Sequence, residues 1–183
     1  MEYTVIRSER KTIGMQIKRG RVIVRAPMGV SEVQIRRFVE SHRDWLEKHL
    51  KSALEREANY ADVALLSSEE LRALADQACR VIPQRVRYYA PLIGVTYGRI
   101  TIRNQRTRWG SCSAKGNLNF NCLLLLAPPK VLDSVIVHEL CHRKEMNHSE
   151  RFYGEVYRVM PDYDQWHGWL KTHGEGLMRR LGG

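Results

Sequence analysis

Residues 131–152 read VLDSVIVHELCHRKEMNHSERF, an H-E-x-x-H run from His138 to His142 with a further histidine, His148, six residues on. On a helix, side chains four apart stand one turn above each other on the same face. His138 and His142 can therefore offer two imidazoles to one Zn²⁺, and Glu139, one step round, can reach the water that such an ion activates. Histidines also fall at this spacing by accident. The surrounding residues weigh against accident here, because Val131, Leu132, Val135, Ile136, Val137 and Leu140 surround the helix with apolar groups. A helix apolar on nearly all sides is buried, and ionisable groups buried with it need a partner such as a metal. The stretch reads as a metal site on a core helix.

A catalytic zinc usually has three protein ligands and one open position. His148 is the best-placed third ligand, ahead of Glu145, Glu150, Glu155 and the more distant His167. The helix is expected to end near Glu145 or Met146. Asn147 suits the left-handed turn found at helix C-termini, which would swing His148 back over the face holding His138 and His142. Read blandly, His148 is a histidine of a surface loop.

The run HELCH, followed by Asn147-His148-Ser149-x-x-Phe152 and preceded by Arg108-Trp109-Gly110-Ser111-Cys112, resembles the YgjP-like metallopeptidase family. That family is similar to the SprT-like zincins, which also carry a histidine shortly after H-E-x-x-H. The resemblance implies a zinc-dependent hydrolase with His138, His142 and His148 as ligands and Glu139 as catalytic acid and base. It is strongest from about Arg99 to Phe152 and looser towards the amino terminus.

The 183 residues suffice for one substantial core and a small accessory subdomain. A formal net charge of +10 points to anionic partners, whether nucleic acid, nucleotides or acidic protein segments, or else to a solvated basic surface. The four cysteines, Cys79, Cys112, Cys122 and Cys141, form no C-x-x-C and no disulfide framework, so reduced thiols in a cytoplasm are expected. Cys141 is less well aimed than the histidines and reads as packing. The start, MEYTVIRSERKT, lacks the apolar core of a signal peptide, and apolar runs such as Cys122 to Ala127 are too short to span a bilayer. A soluble cytoplasmic protein with no membrane contact follows, while the sequence leaves the oligomeric state open.

Tyr3 to Arg7, Ile13 to Lys18 and Val22 to Arg25 read as strands, with Arg19-Gly20 as a tight turn. Ser31 with Gln34 is a capping-box pattern opening a helix whose apolar stripe is Ile35, Phe38, Val39, Trp45, Leu46 and Leu50. Trp45 reads as core, and His42 and His49 as packing or surface. Glu55 to Leu66 lacks periodicity and reads as the hinge between a 1–60 subdomain of three strands plus helix and a 61–183 hydrolase domain. Ser67 with Glu70 opens a second helix, which Pro83 should kink and Pro91 should end near Tyr89. Arg99 to Asn104 alternates as a half-buried strand, Trp109 to Cys112 reads as a turn, and Leu118 to Asn121 as a short strand. Asn117 to Asn121 stands where a zincin edge strand would pair with extended peptide, or else lies inside the sheet with both edges used. Pro128-Pro129 suits the first turn of the metal-site helix. Ser149 caps a helix that Pro161 ends, and a last helix carries Trp166, Trp169, Leu170 and Leu177, weakened by Gly174 and Gly176. The ending Arg179-Arg180-Leu181-Gly182-Gly183 reads as a frayed basic tail.

These readings combine into a small α+β, zincin-like metallopeptidase domain with an amino-terminal β-rich subdomain. Glu139 would move the proton from water to the leaving amine. Arg108, Tyr153, Tyr163 and His167 are the possible second oxyanion donors, and Arg108, Trp109 and Asn119 the possible substrate contacts. The substrate is a peptide or protein. A rival reading is a nucleotide or phosphoanhydride hydrolase with Arg99, Arg103, Arg106 and Arg108 on phosphates. Another is a nucleic-acid module with a structural zinc, which Glu139 argues against. A protease recruited to nucleic acid by its basic surface combines the two classes.

Overall fold

Two runs of capped, amphipathic elements fold around separate cores, and the chain divides into units Met1–Asp62 and Val63–Gly183. The computed structural model describes residues 2–18 and 20–182, with Arg56 described by its backbone alone. In the first unit, β1 (Thr4–Ser8) runs parallel to β3 (Arg21–Pro27), and β2 (Gly14–Lys18) runs antiparallel to it on the other side. Of the expected turn between β2 and β3, Gly20 has φ 68° and Arg19 lies outside the described residues. Val22, Val24 and Ala26, alternating along β3, face Ile35, Val39 and Leu46. Arg7 ties β1 to the next element, donating to Val30 O at 2.6 Å and pairing with Glu32 at 2.6 Å.

The expected single helix after Ser31 is two, α1 (Glu32–Ser41) and α2 (Arg43–Asn59). Side chains compete for the ladder where they part: Ser41 Oγ donates to Phe38 O at 2.9 Å and His42 Nδ1 lies 2.8 Å from the same oxygen. His42 leaves helical geometry at φ −118°, ψ 21°. The break turns Trp45 outward, 42% exposed and stacked on His49, so it is no core residue. The capping box at Ser31 is present as read. Glu55 to Asn59, read as linker, continues α2.

In the second unit, α3 (Ser68–Ile93) runs unbroken through Pro83 and Pro91. Its buried face, Leu74, Ala78, Ile82, Val86, Tyr89, Ala90 and Ile93, holds the helix across the ~3 kcal/mol that an interior proline costs. It ends instead at Gly94, left-handed at φ 80°, whose N–H donates to Ala90 O at 2.9 Å. The sheet has the order β4-β6-β5, with β4 (Ile100–Arg103) parallel and β5 (Gly110–Cys112) antiparallel to β6 (Leu118–Asn121). One correction follows: Trp109 to Cys112 is not simply a turn, because Gly110–Cys112 forms a strand. Of the two readings of Asn117 to Asn121, the interior strand is the one present, because β6 spends both sets of backbone groups on its neighbours, and β5 lies at one edge.

Helix α4 (Pro129–Cys141) starts at Pro129 as expected and crosses the core, with Val131 to Val137 and Glu139 to Cys141 all buried. Asp133, 2% exposed within that row, is held by Arg85 of α3 through a two-pronged ion pair, Nε to Oδ1 at 2.7 Å and Nη2 to Oδ2. Helix α5 (Glu150–Val159) is capped by Ser149, and α6 (Tyr163–Arg179) closes the unit. Gly174 is a packing device in α6, since a β-carbon there would sit 2.9 Å from the Trp109 ring. The carboxyl-terminal residues are tied down: Leu66 N donates to Arg180 O at 2.8 Å, and Arg179 pairs with Glu175 at 2.9 Å. No helix among the described residues is long and apolar enough to cross a membrane.

Candidate metal centre

Helix α4 ends at Cys141, one turn earlier than expected, with His142 as its C-cap in helical geometry. His138 and His142 therefore keep their one-turn stacking, and their Nε2 atoms lie 3.2 Å apart. A tight turn follows, in which Ser149 N donates to Asn147 O at 2.9 Å, and it returns His148 Nε2 to 3.0 Å from His138 Nε2. The three residues each offer a ring nitrogen, all within 4.8 Å of one another. A tetrahedral ion bound at ~2.0–2.1 Å separates its nitrogen ligands by ~3.3 Å. The donor set fits such a cation.

The far side of each ring is held as well. His138 Nδ1 lies 2.7 Å from Tyr163 Oη and His142 Nδ1 lies 3.1 Å from Glu145 O. With Nδ1–H donating in both, the Nε2 lone pairs are turned toward the shared space. Burial first, then His142, His148 and His167, push the His138 imidazole down to about 3. The ring is thus neutral at physiological pH and available to a cation. Tyr163, fully buried and used by His138, orients a ring rather than facing substrate.

Glu139 is 6% exposed, and burial raises its carboxyl to about 7, with Arg108 acting in the opposite direction. A cation nearby lowers it as well. Gly110 of β5 lies against this carboxylate so closely that a β-carbon would stand 2.6 Å from Oε1. The glycine read as turn chemistry thus serves the approach of strand to glutamate. Glu155, a competitor as ligand, is taken by Lys144 at 2.9 Å and Arg158 at 2.7 Å. Cys141 is buried in the core, its thiol pushed up to about 12.

The substrate contacts named from sequence divide. Arg108 lines a cleft of about 290 Å³ with Ser111, Glu139 and the three histidines, and another of about 260 Å³ with His138, Glu139 and His167. Trp109 shares the second, but its ring also packs on Gly174. Asn119 is absent from both walls, and its Nδ2 donates to Ser111 Oγ at 3.0 Å. Of the four arginines, Arg103 lines a neighbouring cavity with Arg108, whereas Arg99 and Arg106 line none of the three.

Asn121 was not singled out by the sequence, although an Asn before the apolar run Cys122 to Leu126 is a cap signal. Fully buried, it accepts from Leu123 N at 3.1 Å and donates to Gln105 O at 2.6 Å and Arg108 O at 3.1 Å. It pins the loop that carries Arg108. Asn121→Leu leaves these backbone groups unpaired, so unfolding by denaturant should show a loss of roughly 2–4 kcal/mol. A loss below about 1 kcal/mol would show that the loop does not depend on this amide.

Three imidazoles converging with no fourth protein donor among the described residues suit metal-assisted hydrolysis better than a structural ion, which is closed by four ligands. Family membership agrees with that class. The YgjP-like, metallopeptidase domain family matches residues 11–74 and 67–173, and the chain belongs to it. The protein is a metallopeptidase of α+β fold. It is similar to the metallopeptidase zymogen abylysin of Pyrococcus abyssi, at 20% identity over 50% of this chain and 93% of that one, with TM-score 0.47. Similarity to the zymogen jannalysin of Methanocaldococcus jannaschii is 20% over 50% and 94%, with TM-score 0.45. No curated protein matches the chain.

Proposed function

We propose that the protein is a zinc peptidase in which His138, His142 and His148 hold the ion and Glu139 is the acid and base. The observation that carries this reading is the gathering of three Nε2 donors beside a buried glutamate. When bound, zinc supplies Lewis acidity, which lets water release a proton near neutral pH. Glu139, kept out of bulk solvent against Gly110, takes that proton and returns it to the leaving amine. Arg108, on the walls of both clefts, adds positive charge where the carbonyl oxygen gains negative charge. Strand β5 offers its free edge to an extended peptide. Zinc-loaded protein should cut a mixed peptide library, lose at least ~10²-fold in rate after chelation and recover with zinc. Cleavage that survives complete metal removal would contradict the proposal.

The finer readings of domain, place and partner belong with it. Residues 1–60 form an accessory domain and 61–183 the hydrolase domain, a division supported by two separate cores. The four free cysteines support a cytoplasmic setting. The basic surface is a solvated one that attracts DNA only weakly, with binding lost around physiological ionic strength. A salt titration checks this. Micromolar binding at physiological salt that Arg103→Ala with Arg106→Ala abolishes would instead show phosphate contacts, with a log–log slope near −0.9 per contact.

A further inference from the structure

Beside the two clefts at the metal site lies a third cavity, of about 490 Å³, whose walls include Arg103, Thr107, Arg108, Ser111 and Asn119. No acidic and no apolar side chain lines it. Two of its residues, Arg108 and Ser111, also line the cleft that holds Glu139 and the three histidines, so the two spaces share a wall. Among the described residues neither Arg103 nor Arg108 has an ion-pair partner, while Arg7, Arg43, Arg85, Arg158 and Arg179 are each paired with a carboxylate. Asn119 Nδ2 donates to Ser111 Oγ at 3.0 Å, so the Ser111 hydroxyl keeps its own proton to donate. Buried Asn121, through the Gln105 and Arg108 carbonyls, fixes the loop between the two arginines.

A concave polar surface whose only charged groups are two guanidinium groups without an ion-pair partner is matched to a planar anion that accepts two hydrogen bonds at once. In a peptidase that anion is a carboxylate of the substrate. The shared wall, Arg108 and Ser111, puts the cavity next to the cleft where the scissile bond would lie, so its occupant belongs to a residue flanking that bond. We propose that the cavity containing Arg103 and Arg108 is a substrate subsite that binds a peptide carboxylate, making the enzyme selective for peptides that place a carboxylate near the scissile bond. The proposal rests on the peptidase reading above. The carboxylate is either an Asp or Glu side chain or the free carboxyl terminus of the peptide. Arg103 is the specificity residue, because it lines this cavity and neither of the other two.

The test uses zinc-loaded full-length protein and internally quenched peptide libraries with Glu, Gln or Lys fixed at each position in turn, each made with a free and an amidated carboxyl terminus. A side-chain subsite gives a Glu preference of about 10-fold or more over Gln at one position, whatever the terminus. A terminal-carboxylate subsite gives a similar loss on amidation. In either case Arg103→Gln raises KM for the favoured peptide about 10- to 100-fold, with kcat and the KM for the Gln peptide within about twofold of the parent. Equal cleavage of Glu, Gln, free and amidated peptides overturns the proposal, as does an Arg103→Gln defect equal for all peptides. If the parent cuts no peptide, the peptidase reading fails, and calorimetric binding of the same libraries to Glu139→Gln protein decides the subsite separately. A Glu-over-Gln or free-over-amidated preference that Arg103→Gln removes supports it. Equal affinities overturn it, and so does binding of inorganic pyrophosphate that depends on Arg103 without any carboxylate preference.

Discussion

Glu139→Gln should purify as a folded protein with its full complement of zinc and cleave peptide at least ~10²-fold more slowly than the parent. The amide has nearly the shape of the carboxylate and fits the same close contact with Gly110. It cannot accept a proton from water, so binding survives and chemistry fails. KM should stay near the parental value while kcat falls, because the lost interaction belongs to the transition state. Steady-state kinetics on any peptide the parent cuts checks this. Parental turnover would remove Glu139 from the mechanism.

His148→Ala should lower zinc affinity by roughly 10²-fold or more, while the fold survives. The side chain is the exposed member of the trio and stands on a turn, so truncating it opens no hole in the core. His138 and His142 remain as a two-nitrogen site, which holds zinc far more weakly than three. Competition with a fluorescent zinc chelator reads the change. Undiminished affinity would pass the third position to another group. Glu155 would then have to leave both Lys144 and Arg158 to take it.

Helix α4 and the gathering of His138, His142 and His148 were legible because their signals are local. Spacing on α4 puts His138 over His142, and the apolar residues around them announce burial without any knowledge of the partners. The capping boxes at Ser31 and Ser67 are equally local and are present. What was illegible depends on contacts between distant segments. Gly110 to Cys112 is three residues long and carries no alternation, and it is a strand only because Asn119 and its neighbours in β6 pair with it. That pairing in turn fills the edge that the sequence order had suggested for substrate. Pro83 and Pro91 obey their local rule in isolation, but the buried face of α3 overrides it. Trp45 fails in the opposite direction: one apolar stripe was drawn through a helix that His42 breaks, and the phase changes at the break. Tyr163 and Asn121 act on groups 25 and 16 residues away, at His138 and Gln105, which no window on the sequence joins.

The central claim is a zinc ion held by three imidazoles with one position left open. X-ray absorption at the zinc edge, on full-length protein loaded with one equivalent of zinc, tests it most directly. The account predicts a first shell of nitrogen and oxygen at ~2.0–2.1 Å, with multiple scattering from three imidazole rings that falls to two in His148→Ala. A sulfur scatterer at ~2.3 Å, bringing Cys112 or Cys141 into the shell, or four protein ligands closing it, would contradict the account.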